Sequence, residues 1–254
     1  MKRLFALILV LGFSIKLLTA QFIYENRVYS PLIRTVILEQ TGKILSDPVL
    51  YLGSEKKLAL SFDELSEETR RFEYTIIHCE ADWTESNLDQ TQYLEGFEVQ
   101  KIEGFANSFN TIQRYVHYSQ NIPSNDLRIT KSGNYILKVF EEGNEEKVIL
   151  TRRFYVVDDK SNIALDIHSP NDVSLLRTHQ EINVKVEGKN GFFFQNPEAF
   201  MKVVCMQNGR EDLKHLLQLR GSSGAALDYS FDQSNLFPAG NEFRRFDFTS
   251  LKLR

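Results

Sequence analysis

The chain has 254 residues, of which 42% are apolar and 25% charged, with a formal net charge of −4. An acidic balance without a basic cluster interleaved with aromatics does not attract a phosphate backbone, which excludes nucleic acid as a partner. Two cysteines in a chain of this length do not build the dense disulfide framework of a small secreted scaffold.

At the N-terminus Lys2 and Arg3 precede an apolar run from Leu4 to Phe13, and the stretch closes on Leu18, Thr19 and Ala20. That layout predicts a secretory signal peptide over residues 1–20, with the mature chain beginning at or near Gln21. The apolar run is interrupted at Ser14 and Lys16, well short of the roughly twenty residues a membrane-spanning helix needs, so no direct membrane insertion is expected. No Cys lies near the cut to accept a lipid. Removing residues 1–20 takes away Lys2, Arg3 and Lys16 and no acid, so 30 basic residues become 27 against 34 acidic ones and the charge moves from −4 to −7.

Short runs rich in Val, Ile, Phe and Tyr then recur between turn signals, and sustained helical periodicity is almost absent. Strands are predicted at residues 34–39, 49–52, 58–62, 72–79, 115–118, 134–140 and 148–157, a count that suits a β-sandwich. The clearest unit is 133–157. Tyr135, Leu137 and Val139 alternate against Asn134, Ile136 and Lys138, residues 141–146 read as a polar loop with four glutamates, and Val148, Leu150, Phe154 and Val156 share a parity on the return. A hairpin with one buried face and a solvated, charged tip is expected.

Residues 158–162 are polar, and a new apolar pattern starts at Ile163, so a domain boundary is placed there. Further strands are predicted at 182–186, 201–206, 227–231 and 243–248. Leu213, Leu216 and Leu217 fit either a helical turn or a buried strand. The run 246–253 ends strand-like without polar closure, which reads as part of a longer architecture.

Chemistry is hard to find. Neither phosphate-cradling glycine spacing occurs, nor a His-Glu-x-x-His zinc helix. Gly221-Ser222-Ser223-Gly224 has the wrong spacing for a nucleophile elbow and is read as a flexible turn. The one dense polar cluster is His78-Cys79-Glu80-Ala81-Asp82-Trp83. Adjacent strand positions point to opposite faces, so His78 and Cys79 do not converge on one metal without a bulge. The favoured reading is a strand end with Cys79 in the core, followed by a turn stabilised by Asp82 and covered by Trp83; metal or thiol chemistry is the alternative. Cys79 and Cys205 are read as buried thiols, against the alternative of a bridge. Phe192, Phe193 and Phe194 stand beside a turn at Gly191 and Asn196-Pro197, and consecutive aromatics in a strand would expose at least one ring as a partner surface or simply pack.

Taken together, Tyr74-Thr75-Ile76-Ile77-His78-Cys79-Glu80-Ala81-Asp82-Trp83, Ser132-Gly133-Asn134-Tyr135-Ile136-Leu137-Lys138-Val139 and Leu150-Thr151-Arg152-Arg153-Phe154 resemble the plug protein family of the bacterial type IX secretion system. Ser108-Phe109-Asn110-Thr111, Gln207-Asn208-Gly209-Arg210 and the run 239–247 extend the likeness over nearly the whole mature chain. The resemblance implies a periplasmic protein that binds the outer-membrane translocation barrel and closes its periplasmic opening when no substrate is present. It also implies a packing role for Cys79, and a chain shorter than its relatives.

The sequence thus predicts an all-β protein: a signal peptide over 1–20, an immunoglobulin-like β-sandwich over 21–158, and a second, incomplete β domain over 163–254. No enzyme activity, catalytic residue, metal or cofactor is expected. Phe192, Phe193 and Phe194 are the candidate partner-binding residues. The rival function is a β-sandwich carbohydrate-binding or adhesion module, since the architecture hosts many functions, and a hydrolase with an unrecognised site is the remaining class.

Overall fold

A computed structural model describes residues 23–224 and 226–240. The leader (1–20) and the strand expected at 243–248 lie outside the described residues, as does most of the 239–247 motif. The described chain is mostly β, with several antiparallel sheets and one short α-helix, Pro197–Phe200. It divides after Asp158 into two compact units.

The first unit is built on the hairpin read most clearly from the sequence. Strands Gly133–Glu141 and Asn144–Val157 pair with Tyr135 opposite Phe154 and Val139 opposite Leu150. The turn is only Glu142-Gly143, and Gly143 takes φ +74°, a conformation that a residue without Cβ adopts freely. The loop expected over 141–146 is therefore mostly strand. Three of its glutamates are paired, Glu145 with Lys138 at 2.9 Å, Glu142 with Lys101 at 2.7 Å, and Glu141 with Lys147 at 2.5 Å and with Arg70 at 3.4 Å, while Glu145 and Glu146 stay exposed, as a charged, solvated tip requires. The ladder shifts register twice near the turn, between Val139 and Phe140 and between Phe140 and Glu141.

Gly133–Glu141 also pairs with Phe72–Cys79, which carries Gln100–Lys101 at its far edge, while Arg27–Val28 and the parallel Val49–Tyr51 flank Asn144–Val157. A second sheet runs Ile33–Gln40, Leu58–Glu64, Val116–Ile122, Gly104–Asn107. Period-2 alternation explains the core between these strands. Leu58, Leu60 and Phe62 from one strand, Val116, Tyr118 and Ile122 from its neighbour, and Tyr135, Leu137, Val139 and Phe154 from the first sheet join a single buried cluster. Phe62 stacks on Tyr118 with ring centroids 5.0 Å apart, and Phe72 meets the same ring edge-on. Each such side chain contributes about 1.5–3 kcal/mol by leaving water.

The expectation of one buried face for the Gly133 hairpin needs correction. Ile136, on the opposite parity, is also fully buried, because Ile77, Cys79 and Trp83 form a second cluster on that face, with Tyr24 and Tyr155 packed against it.

In the second unit Ser161–His168, His179–Gly188, Ala226–Tyr229 and Gly221–Ser223 form one sheet, with Leu236–Pro238 also on His179–Gly188. Two readings change here. The polar stretch 158–162 already enters a strand at Ser161. Gly221–Ser223 is a strand rather than a flexible turn, with its turn glycine at Gly224 (φ +63°). The leucine spacing, open in the sequence, divides: Leu216 and Leu217 lie in strand Lys214–Leu217, hairpinned to Val203–Met206, while Leu213 ends a 3-10 turn, Glu211–Leu213, in the connection. Val184, Val186, Leu217, Leu227 and Tyr229 form the core.

Candidate partner-binding surfaces

The polar cluster at the end of Phe72–Cys79 is a structural turn. Cys79 is buried in one face with Ile77 and Trp83, while His78 turns to the other, where its Nδ1 lies 2.8 Å from Ser86 Oγ and its ring meets Tyr135 edge-on. The alternation argument therefore holds, and the two side chains do not converge. Asp82 Oδ1 accepts hydrogen bonds from Thr84 N (3.0 Å) and Thr84 Oγ1 (2.7 Å), closing the turn in which Trp83 adopts φ +69°. The Trp83 ring is held between Tyr155 and the Arg153 guanidinium, 4.3 Å from its centroid. Burial, with a smaller contribution from Glu85, pushes the Cys79 thiol up to about 12, and burial raises Cys205 as well. Both thiols are free; Cys79 is buried as read, whereas Cys205 is half-buried. Among the described residues, no group of three or more His, Cys, Asp or Glu is placed to hold a metal.

Phe192, Phe193 and Phe194 are not in a strand. They follow a tight turn at Lys189–Gly191 and divide by role: Phe193 is 63% exposed, Phe192 lies at the surface near Lys160, and Phe194 packs on the core of the second unit. Phe192 and Phe194 meet edge-to-face at 84°, so they do not make the flat platform on which a sugar ring stacks. The same unit carries an open row, Ile163, Leu165 and Ile167, 55–68% exposed on the edge strand Ser161–His168.

In the first unit the most exposed apolar side chains lie on the hairpin that joins Gly104–Asn107 to Val116–Ile122. Phe109 is 94% exposed and Ile112 fully so. The connection is nevertheless ordered by its polar neighbours. Ser108 N donates to Tyr115 O (2.9 Å), and Ser108 Oγ accepts from Tyr115 N (3.0 Å) and Thr111 Oγ1 (3.1 Å). Asn110 sits at φ +53°, a region its short amide side chain tolerates. At the base of this hairpin lies a cleft of about 530 Å³ lined by Thr69, Arg70, Phe72, Lys101, Phe105 and Glu142. The sequence marked Ser108-Phe109-Asn110-Thr111 only as a family signature. The overlooked signal was two isolated apolar residues within a polar run that has neither helical nor strand period.

Residues 33–158 match the model of the type 9 secretion system plug protein 1st domain. This part of the chain belongs to the plug family. The matched segment therefore covers the four-stranded sheet, the two-stranded pair Leu94–Gly96 and Leu127–Ile129, all of the six-stranded sheet but Arg27–Val28, the Trp83 turn and the Phe109 hairpin, and leaves Phe192, Phe193 and Phe194 outside it. A crystal structure of a hypothetical protein from Parabacteroides merdae is similar over 91% of the chain, with a TM-score of 0.84 and 32% identity; the chain spans 58% of that protein's length. A Pseudomonas fluorescens alkylpurine DNA glycosylase bound to abasic-site DNA matches 49% of the chain and 30% of its own, at 14% identity and a TM-score of 0.29, too low to carry an argument. No curated protein matches the chain. Among the described residues no helix is long and apolar enough to cross a membrane.

Proposed function

We propose that this protein is a periplasmic plug component of the type IX secretion system, which binds the outer-membrane translocation barrel and closes its periplasmic opening when no substrate occupies it. The observation that carries the reading is the plug first-domain match over 33–158. A leader over residues 1–20 exports the chain, the domain from 21 to 158 folds as an immunoglobulin-like sandwich, and the residues from 163 onward form a second β domain. The core shared by the six-stranded and four-stranded sheets of the first unit supports the sandwich.

A plug needs a stable body and a reversible interface rather than a reaction centre. The raised thiols and the separation of His78 from Cys79 suit such a role. Tagged protein purified from native membranes in detergent tests the proposal. Recovery of a large outer-membrane barrel with it is expected, and recovery of the protein alone would overturn it.

A further inference from the structure

We infer that the Ser108–Tyr115 hairpin tip, led by Phe109 and Ile112, is the element that the plug domain presses into the opening of the translocation barrel. The inference rests on the plug reading and adds the contact surface to it.

Two large apolar side chains at 94% and full exposure lose the benefit of burial in the isolated chain, and the hairpin that displays them is braced at its base by hydrogen bonds among Ser108, Thr111 and Tyr115. Ordering the tip beforehand reduces the entropy lost on binding, which is how an interface anchor is built. An aromatic and an aliphatic anchor with Asn110, Thr111 and Gln113 around them match the apolar centre and hydrogen-bonding rim of a protein contact.

The surroundings argue against a lipid surface as the occupant. Strand register brings residue 64 opposite Val116 and Val116 opposite Asn107, and Thr69 Oγ1 lies 3.3 Å from Asn107 Oδ1, so the exposed Glu67 and Glu68 stand at the same end of the unit. Arg114 is the only basic residue between Ser108 and Tyr115, and of the basic residues in the cleft at the base Arg70 and Lys101 are paired with Glu64, Glu141 and Glu142, while Arg71 stands near Glu142. Their charge is directed to these carboxylates, whereas loops that dip into anionic membranes turn Lys and Arg to the lipid beside their apolar residues. The tip also lies within the matched plug segment, while Phe192, Phe193 and Phe194 do not.

The test compares tagged full-length wild type, Phe109→Asp/Ile112→Asp, Phe109→Gln/Ile112→Gln and Phe192→Asp/Phe193→Asp in pull-downs from native membranes, with each variant's thermal melt recorded. Both tip variants are expected to recover the barrel at least tenfold less than wild type with unchanged melts, and the Phe192/Phe193 variant to recover it as wild type does. The uncharged glutamine pair serves if the aspartates disturb folding. Recovery by a folded tip variant equal to wild type would overturn the inference and leave the plug reading standing. Failure of wild type itself to recover the barrel would overturn both. Tip-dependent binding of wild type to phosphatidylglycerol vesicles would replace the protein occupant with a lipid one.

Discussion

At the scale of single residues, Gly133 shows how a sequence signature becomes a steric requirement. Its φ is +153°, and a Cβ placed there would stand 2.4 Å from His78 Nε2. The imidazole has little room to yield, since Ser86 holds Nδ1 and the Tyr93 and Tyr135 rings flank it. Gly133→Ala is therefore expected to cost about 2–3 kcal/mol, from backbone strain together with a displaced partner. Urea denaturation checks this, and the double variant Gly133→Ala/His78→Ala should lose less than the sum of the two single changes, because deleting the ring removes the clash. Strict additivity would show that the strain lies in the backbone alone.

At the scale of elements, the strands were legible where period-2 alternation was clean. Phe72–Cys79 was read with its observed ends, and Ile33–Gln40 and Gly133–Glu141 each extend one residue further at both ends. Legibility failed where pairing partners lay far away in sequence. Glu141 and Glu142 read as part of a loop, whereas Glu141 ends a strand and the two meet Arg70 and Lys101, which only the folded chain brings beside them. Phe109 and Ile112 look like noise between strands until their exposure is known. A local pair holds Glu64, fully buried at the end of its strand, where Arg70 Nε donates to Oε1 at 2.6 Å and the Arg70 NH2 group makes a second contact with that oxygen. Arg70 also reaches Glu141 on the other sheet, and its carbonyl accepts from Tyr118 Oη at 2.8 Å. Replacing Arg70 with Ala leaves a carboxylate buried without its cation, a change that costs about 3–5 kcal/mol; partial exposure of the guanidinium favours the lower end of that range. Arg70→Ala/Glu64→Leu should regain most of the loss in a denaturation series, because an apolar side chain asks for no counterion. A single variant with wild-type stability would show that water already satisfies Glu64.

At the scale of the molecule, the described part of the first unit keeps its buried clusters among its own residues. Its main cluster draws only on residues between Ile33 and Val156, and the opposite face is sealed by Trp83 with Tyr24 and Tyr155. The N-terminal segment completes that seal through bonds from Arg153 Nε to Tyr24 O (2.9 Å), Arg153 N to Asn26 Oδ1 (2.7 Å) and Thr151 Oγ1 to Glu25 O (2.7 Å). Trp83 is the only tryptophan in the sequence and is 8% exposed, so its fluorescence reports on this unit alone. A fragment of residues 21–158 should therefore unfold in urea as one cooperative transition, with Trp83 emission moving to longer wavelength as Arg153 and Tyr155 release the ring. A second fragment beginning at Arg27 should fold less stably, since it lacks Tyr24, Glu25 and Asn26 and opens the face over Cys79. In that shorter fragment Cys79 should alkylate at least tenfold faster under native conditions, because local opening of the seal exposes the thiol. Equal alkylation rates in the two fragments would show that Trp83 and Tyr155 cover the thiol without the N-terminal segment.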